Sequence, residues 1–192
     1  MAFRVYCGAL VTDGRRYAHR ALVIDKGRIV AWEPYAPDRF TLSSPSDVDA
    51  RSYSVLPGMI DLHIHGGFGR DMMEGTPEAV QAVARRLVRH GVTAFLVTPL
   101  TAPWEAIRGC VRAARAVRTH GSAGARVLGC HLEGPFINPK RAGAQPPEHI
   151  RPPSVRELET ELGDLLSELR IVTLAPEIEG GLELTRYLTE QG

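Results

Sequence analysis

Apolar residues follow two spacings from residue 57 onward, and the two spacings alternate along the chain. Short, nearly continuous apolar runs recur in VTAFLVTPL (92–100), ARVLGCHLEGPF (125–136) and IVTLAPE (171–177). Such runs are typical of strands in a parallel sheet that is covered on both faces. Between them, apolar residues recur every third or fourth position, as on the buried side of an amphipathic helix. The pattern therefore predicts alternating strands and helices.

Polar and special residues mark where the predicted helices begin and end. In TPEAVQAVARRLVRHG (76–91), Thr76 can cap the helix, Pro77 suits its first turn and Gly91 lies just past its end. A second helix is predicted in PWEAIRGCVRAARAVRTHG (103–121). A third follows Ser154 and Glu157, which have the spacing of a capping box, and a fourth begins in GLELTRYLTEQG (181–192).

Residues 1–56 have a different rhythm, with short runs rich in Val, Ile, Tyr and Phe between turn-forming clusters. FRVYCGALVT (3–12), RALVIDKGRIVAW (20–32) and DVDARSYSVL (47–56) are predicted to be β-strands, and Asp25-Lys26-Gly27 has the composition of a hairpin turn. The chain thus divides into a β segment, 1–56, and a segment of four βα units, 57–192.

Four consecutive βα units predict an α/β fold with a parallel sheet and helices outside it. Two closures fit that pattern, an open doubly wound sheet and a (β/α)₈ barrel. Polar residues at the end of the first strand favour the mouth of a barrel. Four strands would then be about half of such a barrel.

Composition and charge exclude several classes of protein. The chain has 192 residues, 44% hydrophobic and 23% charged, with a net charge of +1. A clustered basic excess typical of nucleic-acid binding is absent. The three cysteines are unpatterned, which favours a reducing compartment. We find neither a signal peptide nor an apolar span of membrane length. These features predict a cytoplasmic protein without a nucleic-acid or membrane partner.

The segment VLPGMIDLHIHGGFG (55–69) carries the first candidate chemistry. Residues two apart share one face of a strand, so Asp61, His63 and His65 point the same way. Two imidazoles about 7 Å apart along a strand can converge on one metal ion. Two ordinary polar residues near a strand end would give the same pattern.

The segment CHLEGPF (130–136) supplies a second pair of alternating polar residues, His131 and Glu133. Glu133 precedes Gly-Pro at the end of the third strand, where barrel enzymes place catalytic groups. A carboxylate there needs a partner or a metal ion; a salt bridge or a loop cap is the alternative. We expect His131 to pack against Glu133 or orient it rather than to ligate a metal.

These motifs resemble a known family. LPGMIDLHIHG (56–66) resembles the first barrel strand of the amidohydrolase superfamily, and GCHLEGPFINPKRAGAQ (129–145) resembles its N-acetylglucosamine-6-phosphate deacetylase family, as does TLAPE (173–177). The resemblance covers essentially the whole chain. It implies the N-terminal half of a (β/α)₈ metallo-dependent hydrolase barrel (57–192), preceded by part of a small β-sandwich (1–56).

The resemblance also implies site residues. His63, His65 and Glu133 match metal ligands, with a divalent zinc, iron, manganese or cobalt ion as cofactor, either one ion or two. Ala144 and Gln145 match a loop pair that contacts the sugar.

Three more residues have open roles. Asp61 would hold a ligand imidazole or be purely structural. Lys140 and Arg141 would attract the substrate phosphate or simply be solvated.

The implied reaction is metal-dependent deacetylation of N-acetylglucosamine 6-phosphate to glucosamine 6-phosphate and acetate. The implied assembly is a homodimer. The resemblance puts the general base beyond Gly192, so the chain is expected to be inactive alone, as a fragment or a truncated gene product. Two alternatives stay open: another amidohydrolase acting on a cyclic amide or nucleobase, and a non-catalytic remnant that binds sugar or metal.

Overall fold

The computed structural model describes residues 2–191, and the chain divides after Pro57 into two compact units. The first unit is a four-stranded sheet in the order β3-β2-β1-β4. Its strands are β1 (Phe3–Thr12), β2 (Arg15–Asp25), β3 (Arg28–Pro34) and β4 (Val48–Val55). Strand β1 pairs antiparallel with β2 and parallel with β4. The interpretation of this sheet as part of a β-sandwich stays a prediction.

The hairpin predicted at Asp25-Lys26-Gly27 is confirmed. Lys26 (φ 48°) and Gly27 (φ 74°) both have positive φ, as the two central residues of a type I′ turn require. That turn twists in the same sense as the strands it joins, so β2 and β3 pair directly across it. Cys7, Leu10 and Leu22 form the small core of this unit.

The second unit is a parallel sheet with helices between its strands. Its elements are β5 (Met59–Ile64), a short hairpin of β6 (Gly66–Gly67) and β7 (Arg70–Asp71), α1 (Pro77–Leu87), β8 (Val92–Val97), α2 (Trp104–His120), β9 (Arg126–Glu133), α3 (Val155–Leu162), β10 (Leu169–Thr173) and α4 (Gly181–Gln191). The main sheet has the order β10-β9-β8-β5, and each neighbouring pair is parallel.

This strand order decides between the two predicted closures. A doubly wound sheet reverses its order at a switch point, whereas these four strands lie in chain order. Helices α1, α2 and α3 bury their apolar sides in one core with the sheet. The unit is therefore half of a (β/α)₈ barrel, as the family resemblance implied.

The predicted helix starts are confirmed, with one difference in bonding. Thr76 Oγ1 accepts a hydrogen bond from the Ala79 amide, and Ser154 Oγ accepts one from the Glu157 amide. The Glu157 carboxylate, which would complete a capping box at Ser154, instead accepts the indole N–H of Trp104 at 2.8 Å. A hydrogen bond between α2 and α3 therefore replaces the local bond that would complete the capping box.

A glycine in β9 determines which side chains face the candidate site. Gly129 has φ 140°, and a Cβ there would lie 2.4 Å from the Glu168 carbonyl oxygen. The strand register shifts at this position, as in a β-bulge. Beyond it, Cys130 and Leu132 join the helix-facing core, so alternation turns the side chain of Glu133 toward the other face.

The cysteines contribute packing rather than reactivity. Cys7, Cys110 and Cys130 are buried free thiols. Burial raises the pKa of Cys110 to about 12, so this thiol stays protonated at neutral pH. Among residues 2–191, no helix combines the length and apolar character needed to cross a bilayer.

Both edges of the half barrel leave apolar surface uncovered. On edge strand β5, Met59, Ile60 and Leu62 are each more than half exposed (58%, 55% and 52%). At the opposite edge, an open groove of about 890 Å³ runs along β10 and α4. An unpaired apolar edge is a template for strand pairing.

We therefore expect residues 1–192 to associate or to be partly disordered, rather than to form a compact monomer. Sedimentation velocity at several concentrations measures this. Ile60→Lys places a charge on the β5 edge and should lower the associated fraction, whereas Val88→Lys, at an exposed site outside the sheet, should not. A monomeric wild-type chain with cooperative unfolding would contradict the expectation.

Candidate metal centre

The two histidines of the first barrel strand lie where β5 ends. The carbonyl of His65 accepts a hydrogen bond from the Met72 amide at 2.8 Å, and the chain turns at once into the β6–β7 hairpin. Gly66 permits this turn, because a Cβ there would lie 2.3 Å from the Arg70 carbonyl oxygen. The turn places His63 and His65 at the carboxyl end of the parallel sheet.

Glu133 lies at the same end of the sheet, as the last residue of β9. Its amide donates to the Pro99 carbonyl at 3.0 Å. Its Oε1 lies 3.9 Å from His63 Nε2 and its Oε2 lies 3.2 Å from His65 Nε2. One ligand atom from each residue falls within 4.8 Å of the other two. The structure thus brings together His63, His65 and Glu133, the three residues named from the sequence.

Thr98 determines which nitrogen of His65 faces Glu133. The Nδ1 of His65 lies 2.9 Å from the Thr98 carbonyl oxygen. A carbonyl can only accept, so Nδ1 carries the proton and Nε2 of the neutral ring has a lone pair. That lone pair faces a carboxylate oxygen 3.2 Å away. Only a proton or a cation between these two acceptors makes such an approach favourable.

His131 contacts different partners from those expected. Its Nδ1 lies 3.1 Å from the Leu62 carbonyl oxygen and its Nε2 lies 2.8 Å from Thr173 Oγ1. It also lies beside His63, with 3.2 Å between the two Nδ1 atoms. Burial lowers the pKa of His131 below its ordinary value, which favours a neutral ring. His131 therefore links β5 to β10, rather than orienting Glu133 by a direct hydrogen bond.

The structure also describes the three residues whose roles the sequence left open. Asp61 accepts a hydrogen bond from the backbone amide of His63 at 3.1 Å, so its contact is with main chain and not with an imidazole. Lys140 and Arg141 are exposed in a short 3₁₀ turn after Asn138.

The loop residues Ala144 and Gln145 follow that turn. Ala144 is exposed and Gln145 is half-buried. Gln145 Oε1 accepts a hydrogen bond from the Thr101 amide at 3.0 Å, which ties this loop to the one after β8. The amide nitrogen of the Gln145 side chain can still donate.

Sequence reasoning missed two residues of the site, Thr98 and Thr173. Both lie at or just beyond the carboxyl end of a parallel strand, where barrel enzymes place functional groups. A polar residue closing each apolar run was a signal that could have identified them.

The comparisons with known proteins agree with this fold and arrangement. The model of the amidohydrolase family matches residues 54–180, and the chain belongs to that family. It is 39% identical over 192 residues to the N-acetylglucosamine-6-phosphate deacetylase of Bacillus subtilis, covering 95% of this chain and 46% of that protein. It is 36% identical over 183 residues to the N-acetylgalactosamine-6-phosphate deacetylase of Escherichia coli O157:H7, again covering 95% and 46%.

A solved structure is similar over the whole chain. The N-acetyl-D-glucosamine-6-phosphate deacetylase of Mycobacterium smegmatis, in complex with N-acetyl-D-glucosamine-6-phosphate, superposes with a TM-score of 0.81 and 31% identity, covering 100% of this chain and 48% of that one. The chain therefore spans about half the length of the relatives it matches. The predicted family resemblance is confirmed.

Proposed function

We propose that the complete protein is a metal-dependent deacetylase that converts N-acetylglucosamine 6-phosphate to glucosamine 6-phosphate and acetate. The observation that carries this proposal is the convergence of His63, His65 and Glu133 at the carboxyl end of the parallel strands. The names of the relatives supply the substrate class. The names of these relatives do not favour a cyclic amide or a nucleobase as the substrate.

In this proposal His63, His65 and Glu133 hold a divalent cation. Two imidazoles and one carboxylate suit zinc, iron, manganese or cobalt. The close approach of His65 Nε2 and Glu133 Oε2 fits such an ion, because a shared cation removes the repulsion between the two acceptors. When bound, the ion would polarise the amide carbonyl and lower the pKa of a water molecule.

The remaining roles follow from the chemistry of each side chain. Glu133 supplies negative charge that offsets the cation, and His65 keeps Nε2 free because its Nδ1 proton is held by Thr98. Ala144 and Gln145 are proposed to contact the sugar, with the Gln145 amide nitrogen as donor. The general base is proposed to lie outside residues 1–192.

We also propose a cytoplasmic homodimer. Three free buried cysteines are consistent with a reducing compartment. The dimer rests on the family resemblance, and sedimentation of the complete protein measures it.

The proposed reaction is tested by following acetate release from three compounds: N-acetylglucosamine 6-phosphate, N-acetylgalactosamine 6-phosphate and unphosphorylated N-acetylglucosamine. We expect the first to be the preferred substrate and exhaustive chelation to abolish turnover. Residues 1–192 alone should show no appreciable turnover, because the loss of general acid–base catalysis by itself commonly costs about 10²–10⁴-fold. Turnover that survives chelation, or preference for a cyclic amide, would contradict the proposal.

A further inference from the structure

Thr98 is fully buried where β8 meets β5 and has four polar contacts there. Its amide donates to the Ile64 carbonyl at 3.2 Å, and its Oγ1 accepts from the Ile64 amide at 3.0 Å. The hydroxyl donates to the Leu96 carbonyl at 3.4 Å, and the Thr98 carbonyl accepts from His65 Nδ1 at 2.9 Å. One residue thus holds both backbone polar groups of Ile64 and the ring of the next residue.

The Thr98 hydroxyl oxygen takes the place of a backbone carbonyl in the ladder of hydrogen bonds between β5 and β8. The register between β5 and β8 shifts between Asp61 and Ile64, and at Ile64 the amide bonds to a side-chain oxygen instead of a carbonyl. Without that oxygen, the Ile64 amide would lose its acceptor, and an unsatisfied donor away from water is costly. The strand end would have to move to satisfy it, and His65 would move with it.

We propose that Thr98 is a positioning residue for His65: its hydroxyl fixes the end of β5 so that its own carbonyl can hold the His65 Nδ1 proton and leave Nε2 to face Glu133. The importance for a bound ion rests on the proposed function. The placement of the ring does not, because every contact is between atoms of this chain. Groups that orient a ligand imidazole in this way commonly contribute 10–100-fold to metal affinity.

The test uses Thr98→Val, which keeps the shape and removes the hydroxyl, and Thr98→Ser, which keeps the hydroxyl. Thr93→Val is the matched control, because Thr93 Oγ1 also bonds across to β5, at Met59, but near the amino end of the strands. Nitrogen-15 shifts of the His65 ring, measured without metal, report whether the proton stays on Nδ1. Titration with Zn²⁺ against a competing chelator reports the affinity, and thermal unfolding reports stability.

We expect wild type, Thr98→Ser and Thr93→Val to keep the His65 proton on Nδ1. Thr98→Val should give mixed tautomers and bind Zn²⁺ about 10–100-fold more weakly. If the wild-type protein keeps the His65 proton on Nδ1 but binds no Zn²⁺, the proposed metal site is wrong and the role of Thr98 is supported. An unchanged ring in Thr98→Val, with only lower thermal stability, would show a purely structural threonine and overturn the inference.

Discussion

The proposed deacetylation by the complete protein should fall by more than about 100-fold when Glu133 is replaced by glutamine. Outer groups that only orient a metal ligand already contribute 10–100-fold, and Glu133 is proposed as a ligand itself. Glutamine keeps the size of the side chain but removes the charge that would offset a cation between His63 and His65. Initial rates of acetate release measure the loss of activity, and mass spectrometry of the bound metal measures the loss of the cation.

Glu157→Gln is the matched control for that experiment. The Glu157 side chain is 29% exposed, close to the 22% of Glu133, and its role is to accept the Trp104 indole N–H. A glutamine oxygen can do the same, so rate and metal content should stay near wild type. Full activity and full metal content in Glu133→Gln would remove Glu133 from the ligand set.

The second large effect is expected on stability, at Glu168. This carboxylate is only 2% exposed and bonds to Arg115 Nε at 3.1 Å and to Arg118 Nε at 2.7 Å. Removing one member of a buried ion pair leaves the other charges uncompensated. Because both arginines are partly exposed, we expect Glu168→Gln to lower the free energy of unfolding by about 2–3 kcal/mol, below the usual range for fully buried pairs.

The dependence of this stabilisation on pH follows from the same contacts. Hydrogen bonding to Arg118, followed by attraction to both arginines, lowers the pKa of Glu168 in the folded state. Its contribution is fully present above the unfolded pKa of glutamate, about 4.3, and is lost as the pH falls through the lowered folded value. Urea unfolding from pH 7 to pH 3 should therefore show a flatter acid limb for Glu168→Gln than for wild type.

Glu105→Gln serves as the comparison, because Glu105 lies on α2, the helix that also carries Arg115 and Arg118. Its carboxylate pairs with Arg108 and Arg112 but is 74% exposed, so solvent and salt screen these pairs. We expect little change in stability. An equal loss in both variants would mean that burial of Glu168 is unimportant.

Local physics was sufficient to predict the βα rhythm and the positions of the candidate side chains, whereas their assignment as metal ligands came from the family resemblance. Strand side chains alternate with a period of two, so His63 and His65 had to share a face wherever the strand lay. Apolar runs and helix caps identified the four βα units, and Glu133 was placed at a strand end by the Gly-Pro that follows it. None of these inferences depends on which strands are neighbours in the sheet.

The tertiary structure decided the contacts between strands. The choice of an ordered half barrel over a doubly wound sheet depends on strand order, which local periodicity does not encode. Glu133 meets His65 because β5, β8 and β9 are neighbours in a register shifted at Gly129. The same register determines which residues His131 contacts. It also brings the Thr98 carbonyl within hydrogen-bond distance of His65 Nδ1. A sequence pattern describes which face a side chain occupies, whereas the atom it meets is determined by a segment tens of residues away.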